Sequence, residues 1–183
     1  MRIVAGEFSS RRLETRKGND TRPTLDKVRE AVFSSLGGMF DGGIVLDLYA
    51  GSGAIGLEAL SRGMEHAVFV DSAHDAIQVI RKNVATLKVN DRSRILAMRD
   101  VKALEVLNEE KMQFDLIYLD PPYAFQHNEE IMDYLVKENM IHSGGHVVIE
   151  SLKEEIFNKD YPTVHPYKTK EYGISRITYY ISD

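Results

Sequence analysis

A glycine-rich segment with acidic residues on either side could bind a nucleotide-like ligand. Gly51, Gly53 and Gly56 have the spacing G-x-G-x-x-G, and the segment follows a short apolar run and precedes a helical pattern. Glycines let the backbone turn tightly and approach a ligand closely, and the first turn of a helix offers unpaired N–H groups. Asp71 stands 20 residues after Gly51, where its carboxylate could accept hydrogen bonds from a ribose diol. A nicotinamide-dependent dehydrogenase would show the same features.

Asp47, at the end of the apolar run, favours a cationic ligand over a dinucleotide. A carboxylate beside a pyrophosphate is unfavourable because like charges repel. S-adenosylmethionine instead offers an ammonium and a sulfonium group to Asp47, a ribose to Asp71 and an adenine amino group to Asp100. A helix-capping role for Asp47 and a surface position for Asp100 are the alternatives. The predicted cofactor site comprises Asp47, Tyr49, Gly51, Ser52, Gly53, Asp71, Asp100 and Val101.

A second candidate site is Asp120-Pro121-Pro122-Tyr123, which follows a predicted strand. Two prolines stiffen the backbone and leave carbonyl acceptors without competing N–H groups on those residues. Such acceptors beside an aromatic ring can hold a planar base and accept both hydrogens of its exocyclic amine. This arrangement would lower the barrier to attack of the amine on a sulfonium methyl, mainly through orientation and preorganised electrostatics. A structural Pro-Pro turn with a packed Tyr123 is the alternative.

Short apolar runs alternate with helical patterns from residue 44 onward, and this alternation must position both sites. Runs of Val, Ile and Leu predict buried strands at 44–48, 67–70, 94–98, 114–119 and 146–149. Apolar residues at helical spacing predict a helix at 73–87. Strands and helices in succession predict a doubly wound α/β sheet with ligands beyond the carboxyl ends of its strands.

The two ends of the chain depart from this alternation. Short strand-like pieces predict a small hairpin in about the first 20 residues, and Thr24 is a candidate cap of the following helix. A long final strand is expected at 174–181. Pro162 and Pro166 indicate edge or loop positions before it, because proline cannot donate a hydrogen bond to a neighbouring strand.

The net charge of -5 hides an uneven distribution. Residues 1–29 carry eight basic and four acidic side chains, which makes +4, whereas the remainder carries -9. A basic arm on an acidic body is typical of proteins that bind phosphates, and a solvated charged face is the alternative. The candidate phosphate-binding residues, which would be RNA-binding residues if the phosphates belong to a nucleic acid, are Arg2, Arg11, Arg12, Arg16, Lys17, Arg22 and Arg29.

Length and composition indicate one domain over 1–183, with a basic arm at 1–23 and a catalytic core at 24–183. The chain has 183 residues, 43% hydrophobic and 28% charged, which is ordinary for a globular domain. The absence of Cys excludes thiol nucleophiles, disulfides and Cys-based zinc sites, and the six His residues lack metal-ligand spacing, so no metal is expected. Without a signal-like start or an apolar stretch long enough to span a membrane, the expected location is the cytoplasm.

Longer motifs make the chain resemble a known family. The Asp-Pro-Pro-Tyr corner after Asp47-Leu-Tyr-Ala-Gly-Ser-Gly is similar to the class I, S-adenosylmethionine-dependent amino-methyltransferases. Nearly the whole chain resembles the bacterial 16S ribosomal RNA guanine-N2 methyltransferase family, through Met1-Arg-Ile-Val-Ala-Gly, Thr21-Arg-Pro-Thr, Val28-Arg-Glu-Ala-Val-Phe and Leu57-Glu-Ala-Leu-Ser-Arg-Gly. The resemblance implies a seven-stranded sheet with the last strand antiparallel, and a guanine of the small-subunit RNA as the substrate.

The resemblance also implies a role for each motif. The methionine part of the cofactor would lie at Asp47 and the turn at 51–53, its ribose at Asp71 and its adenine at Asp100. The substrate guanine would leave its stack and lie at the corner 120–123. Because methyltransferase turns commonly read G-x-G-x-G and Ile55 stands at the third glycine, Gly56 would have to compensate in helix packing.

Other functions stay open. An adenine-N6 or glutamine-amide methyltransferase would use the same corner, usually with Asn in place of Asp120. An NAD-dependent dehydrogenase would have no use for the corner, and a non-catalytic RNA-binding or assembly factor would not need turnover at all. The expected partner is 16S ribosomal RNA, the small subunit or its assembly intermediate, bound by a monomer.

Overall fold

Strands and helices alternate along the chain, as the apolar pattern predicts. A computed structural model describes residues 1–18, 23–122 and 127–183. Its elements in chain order are α1 (Pro23–Ser35), β1 (Ile44–Asp47), α2 (Ala54–Ser61), β2 (His66–Asp71), α3 (His74–Leu87), a short 3₁₀ turn (Asn90–Arg92), β3 (Ser93–Ala97), α4 (Asp100–Glu109), β4 (Phe114–Leu119), α5 (Asn128–Lys137), β5 (Ile141–Leu152), β6 (Val164–Tyr172) and β7 (Ser175–Ser182). These elements fall into two compact units, Met1–Asp100 and Val101–Asp183.

The first unit contains three parallel strands in the order β3-β2-β1. The central residues of β1 and β2 are buried, with Leu46 of β1 beside Val68 of β2, whereas β3 buries Leu96. Parallel strands covered on both faces are expected to be apolar throughout, which is why this pattern could be read from the sequence.

Two helices of the first unit pack against these strands. Helix α3 buries one apolar stripe, formed by Ala76, Ile77, Ile80, Val84 and Leu87, in agreement with the helix predicted at 73–87. Helix α2 buries seven of its eight residues, because it contacts the strands and also the N-terminal arm, defined as residues 1–18. A helix that is apolar nearly all round belongs inside a protein.

The N-terminal arm contains less strand structure than predicted. The predicted small hairpin is present as one antiparallel bridge between Arg2 and Arg12, flanked by backbone hydrogen bonds from Ile3 to Arg11 and from Leu13 to Met1. The backbone N–H groups of Val4 and Ala5 are bonded to Glu58 of α2, and that of Phe8 to Ser61, so these donors are not available to a strand ladder. Side chains of α2 therefore hold the arm in addition to its own short pairing.

The second unit contains four strands in the order β4-β5-β7-β6. Strand β4 is parallel to β5, whereas β7 is antiparallel to both β5 and β6. Strand β5 extends far beyond the predicted 146–149, and β6 was not predicted as a strand. Pro166 lies in β6 at an irregularity in the pairing, which confirms the expected edge position, since β6 is the last strand in the order and pairs with β7 alone among the described strands.

No helix in the described part of the chain is long and apolar enough to cross a membrane.

Candidate active site

The turn between β1 and α2 requires glycine at two positions. Gly51 has φ 58° and Gly53 has φ 82°, both in the left-handed region that residues with a Cβ rarely adopt. The turn is closed by the Gly53 N–H, which donates to the Ala50 carbonyl at 2.7 Å. The backbone therefore bends sharply where the sequence predicted close approach to a ligand.

Gly56 allows close packing of α2 on β2, the role that the third glycine of a G-x-G-x-G turn would have at position 55. A Cβ on Gly56 would lie 2.4 Å from Cε1 of Phe69 in β2, a distance that real side chains do not reach. Helix α2 can therefore approach β2 this closely only because residue 56 lacks a side chain. This finding agrees with the expectation that Gly56 compensates for the missing third glycine of the G-x-G-x-G pattern.

The Asp71 carboxylate lies at the end of β2 and bonds to the glycine turn. Its Oδ2 accepts the Gly51 N–H at 2.9 Å, and its Oδ1 accepts the Ala73 N–H at 2.9 Å. These bonds hold the carboxylate between the turn and the start of α3. Each oxygen retains a second lone pair for a further donor, as a ribose hydroxyl would require.

Asp47 lies at the end of β1 with only 2% of its surface exposed. Its Oδ2 accepts the N–H of Gly56, in the first turn of α2, at 3.1 Å. Burial raises the pKa of Asp47 to about 7; the Gly56 bond opposes this shift and the charge of Asp71 adds to it. Asp47 thus caps α2, the alternative role considered for it, and its place beside the methionine part of a cofactor stays a prediction.

Tyr49 and Asp100 are joined by a short hydrogen bond. The Tyr49 hydroxyl donates to Oδ2 of Asp100 at 2.7 Å. Burial, followed by this bond and the Asp100 charge, holds the pKa of Tyr49 above its usual range, so the hydroxyl remains a donor. Val101 follows on α4 and is exposed. A hydrogen bond thus fixes each of these carboxylates of the first unit. Asp47 is bonded to the start of α2, Asp71 to the glycine turn, and Asp100 to Tyr49.

The Asp-Pro-Pro corner belongs to the second unit. Asp120 follows the last residue of β4 and is exposed, Pro121 is buried and Pro122 is exposed. Tyr123, the predicted stacking residue, lies outside the described residues.

A buried tyrosine lies two residues before the corner. The Tyr118 hydroxyl donates to Oε2 of Glu150 on β5 at 3.1 Å. Burial, then the charges of Glu150 and Asp120, raises the pKa of Tyr118. The pKa of Glu150 is also raised by burial. The sequence assigned neither side chain a role: Tyr118 lies within the motif Phe114-Asp-Leu-Ile-Tyr-Leu-Asp-Pro-Pro-Tyr but was read as part of a strand, and Glu150 belongs to no motif.

The candidate RNA-binding residues differ in exposure. Arg2, Arg11, Arg12 and Lys17 are exposed, and Arg16 forms a two-pronged contact with Asp75 at 2.8 and 3.0 Å. Arg22 lies outside the described residues.

Arg29 requires a correction. It is only 4% exposed, and its guanidinium donates to Glu58, to Asp26 and to the carbonyl of Arg2. Because these groups occupy the guanidinium inside the protein, we assign Arg29 to holding the arm and not to contacting phosphate.

Comparison with known proteins identifies the family. The family model described as "Conserved hypothetical protein 95" matches residues 1–181. The chain belongs to this family. A relative from Bacillus subtilis named "Putative rRNA methyltransferase YlbH" is 35% identical over 98% of this chain and 98% of its own length. "Ribosomal RNA small subunit methyltransferase D" of Haemophilus influenzae is 31% identical over 85% of this chain and 80% of its own length.

The comparisons confirm two expectations. The resemblance to bacterial small-subunit ribosomal RNA methyltransferases is confirmed at the level of the family. The expected fold class, a doubly wound α/β sheet of seven strands with the last strand antiparallel, is also confirmed. The solved structure of yhhF from Escherichia coli is 28% identical, covers 100% of this chain and 98% of its own, and gives a TM-score of 0.84.

This member of the Conserved hypothetical protein 95 family also contains a buried charged cluster that the sequence did not predict. Glu58 is fully buried and accepts four N–H groups, from Val4, Ala5, Arg29 and Arg62. A charge at such a position must be paired. The available signal was an acid inside the otherwise apolar helix α2, within the motif Leu57-Glu-Ala-Leu-Ser-Arg-Gly.

Within the described ranges, the His, Asp and Glu side chains form no group of three or more that could hold a metal ion.

Proposed function

We propose that this protein transfers a methyl group from S-adenosylmethionine to the exocyclic N2 amine of a guanine in 16S ribosomal RNA. The observation that carries the proposal is a pair of carboxylates at the glycine turn: Asp71, fixed by the N–H groups of Gly51 and Ala73, and the buried Asp47, which would repel the pyrophosphate of a dinucleotide. A ribose diol needs an acceptor in the position of Asp71. The relatives named as rRNA methyltransferases support ribosomal RNA as the substrate, and methylation of an amine requires a methyl donor.

The first unit supplies the groups that would hold the cofactor. Asp71 would accept the ribose hydroxyls, Asp100 the adenine amino group, and Asp47 would face the positively charged methionine part. A cation nearby would lower the raised pKa of Asp47, so binding and ionisation of this carboxyl should favour one another. When bound, S-adenosylmethionine supplies an electrophilic methyl group on a positively charged sulfur.

The corner at the end of β4 would hold the guanine. The Asp120 carboxylate and the prolyl carbonyls can accept hydrogen bonds from the N2 amine, and prolines offer no competing N–H on those residues. An amine on an aromatic base is a weak nucleophile because its lone pair is delocalised into the ring. Acceptors that fix its orientation therefore assist attack without acting as strong bases. Asp120 is exposed, so the proton released by N2 can pass through it to solvent.

The exposed arm residues would hold the RNA. Arg2, Arg11, Arg12 and Lys17 can contact phosphates on either side of the target, while the base itself is extruded to reach the active site. Tyr123 stays the predicted stacking partner of the extruded base. We propose that the protein acts as a monomer in the cytoplasm, where ribosomal subunits assemble.

The proposal is tested by mapping a labelled methyl group. The protein is incubated with labelled S-adenosylmethionine and either undermethylated small subunits or naked 16S RNA, and the modified nucleoside is identified. N2-methylguanine is expected. Label in adenine N6 or in a glutamine amide would instead support a related methyltransferase acting through the same corner.

Two further measurements separate the remaining functions. A thermal shift with S-adenosylmethionine and none with NAD is expected, and the reverse would support a dehydrogenase. Replacing Asp120 with Ala should abolish turnover and leave RNA binding intact. Unchanged turnover would support a non-catalytic RNA-binding factor.

A further inference from the structure

A buried amide connects the N-terminal arm to the glycine turn. Asn83 of α3 is 2% exposed, and its Oδ1 accepts the Glu14 N–H at 2.8 Å. Its Nδ2 donates to the carbonyl of Glu14 at 3.0 Å and to the carbonyl of Ser52 at 2.9 Å. One side chain thus bonds both backbone groups of an arm residue and one backbone group of the turn. An amide offers one acceptor and two donor hydrogens, and no other side-chain type matches all three partners.

Other contacts hold the same part of the arm along α3. Lys82 pairs with Glu14 at 2.6 Å, Arg16 with Asp75, and Arg11 donates to the carbonyl of Thr86 at 3.3 Å. These contacts are at the surface, where ion pairs contribute little. The Asn83 side chain is buried and its three bonds are partly shielded from solvent, so breaking them would leave backbone groups without these partners.

The turn side of the connection lies next to the proposed ribose acceptor. Ser52 stands between Gly51, whose N–H is bonded to Asp71, and Gly53, the N-cap residue that precedes α2. The Ser52 hydroxyl also approaches the sulfur of Met1 at 3.7 Å. Any displacement of the turn must therefore move the Ser52 carbonyl relative to Asn83.

We propose that Asn83 is a positioning residue that couples cofactor binding at the glycine turn to RNA binding on the arm. The inference rests on the proposed function for the identity of both ligands. When the cofactor binds, it orders the turn and fixes the position of the Ser52 carbonyl. The Asn83 amide, which donates to that carbonyl, is then held in place, and its bonds to Glu14 fix the backbone of the arm. The exposed Arg11 and Arg12 are then held in place before RNA arrives, which reduces the entropy lost on binding. Because coupling is reciprocal, RNA bound to the arm must strengthen cofactor binding by the same factor.

The test measures coupling in wild type and in Asn83→Ala. The dissociation constant of undermethylated small subunits is determined with and without saturating S-adenosylhomocysteine. We expect a ratio of about fivefold or more in wild type, the usual lower range of allosteric coupling, and a ratio near one in Asn83→Ala. Gln78→Ala is the matched control, since it removes an exposed amide from the same helix and should keep the wild-type ratio. A merely structural role would lower the melting temperature and leave the ratio unchanged.

A second measurement needs no variant. Hydrogen exchange of the Glu14 amide in the wild-type protein is followed as S-adenosylhomocysteine is added, and slower exchange is expected because the N–H is bonded to Asn83. Unchanged exchange at Glu14 with the ligand bound, or an unchanged ratio in folded Asn83→Ala, would overturn the inference. If S-adenosylhomocysteine does not bind wild type at all, it is the proposed function that fails.

Discussion

The Nε of Arg29 donates to Oε2 of Glu58 at 3.2 Å, and both side chains are buried. Arg62 bonds the other carboxylate oxygen at 2.8 Å, so one carboxylate lies between two guanidinium groups. The same oxygens accept the N–H groups of Val4 and Ala5. This cluster attaches the N-terminal arm to α2, and it explains why basic residues of the arm region divide into exposed and buried ones.

Removal of the central charge should strongly destabilise the protein. Glu58→Ala would leave two buried guanidinium groups and two arm N–H groups without their partner, and a loss of about 3–5 kcal/mol in the free energy of unfolding is expected. Urea denaturation measures it. Glu105→Ala, which removes an exposed partner of Lys102, should cost less than about 1 kcal/mol. Equal losses of unfolding free energy in Glu58→Ala and Glu105→Ala would contradict the conclusion that the buried cluster stabilises the protein.

Gly56→Ala should destabilise the protein although alanine favours helices. The added methyl would meet the Phe69 ring at 2.4 Å, and overpacking of this kind costs about 1–3 kcal/mol. The double variant Gly56→Ala/Phe69→Leu should recover part of the loss, because the leucine gives the methyl space. If Gly56→Ala is stabilising, as helix propensity alone predicts, α2 and β2 do not pack as described.

Loss of the Asp71 carboxylate should weaken cofactor binding. Hydrogen bonds to charged groups contribute about 1.5–3 kcal/mol, so Asp71→Ala should raise the KM for S-adenosylmethionine about tenfold or more. Steady-state kinetics with saturating RNA provide the measurement. Asp91→Ala, at an exposed carboxylate of the same unit, should leave this KM unchanged. A KM that is the same in Asp71→Ala as in wild type would exclude Asp71 as the ribose acceptor.

The stability of the ligand-free protein should fall as pH rises, relative to Asp47→Asn. Burial raises the pKa of Asp47 to about 7, whereas an unfolded aspartate titrates near about 3.9. The folded state therefore holds this proton more tightly, and the resulting stability is complete below about pH 4 and is lost as pH rises through about 7. Asparagine stays neutral at every pH. The difference in the free energy of unfolding between wild type and Asp47→Asn should therefore change by a few kcal/mol over this range, at about 1.4 kcal/mol per unit of pKa shift.

Chemical denaturation at pH 4.5, 6 and 8 checks this dependence. Asp41→Asn, which changes an exposed carboxylate, should follow the wild-type curve. Parallel pH curves for wild type and Asp47→Asn would show that Asp47 is ionised throughout.

Exposed basic residues of the arm should govern the salt dependence of RNA binding. Replacing Arg12 and Lys17 with Ala removes two exposed charges and should weaken binding to RNA of any sequence. The slope of log K against log salt should become shallower by about 0.7–0.9 for each phosphate that the arm no longer neutralises. Lys137→Ala, at an exposed lysine on α5, provides the control. An unchanged slope in the double variant would remove the arm from the RNA interface.

The parts of the site that depend on neighbouring residues were readable from the sequence. The turn at 51–53, the carboxylate at the end of β2 and the corner after β4 all follow buried strands, whose apolar runs are a short-range signal. Strand β6 was missed because it carries a proline and several charges, and an edge strand of this kind forms only where β7 is present to pair with it.

The sequence by itself therefore determined the fold class, the family and the positions of the glycines and carboxylates, since these follow from local patterns. Only the tertiary structure decided which charges face solvent and which are buried. Arg29 looks like the other arginines near the arm, and its burial depends on Glu58, 29 positions away. Asn83 belongs to no motif, and its role follows from partners 69 and 31 positions away, at Glu14 and Ser52. A hydrogen bond between residues far apart in the sequence forms only when folding brings them together. Patterns among neighbouring residues do not show which distant residues will meet.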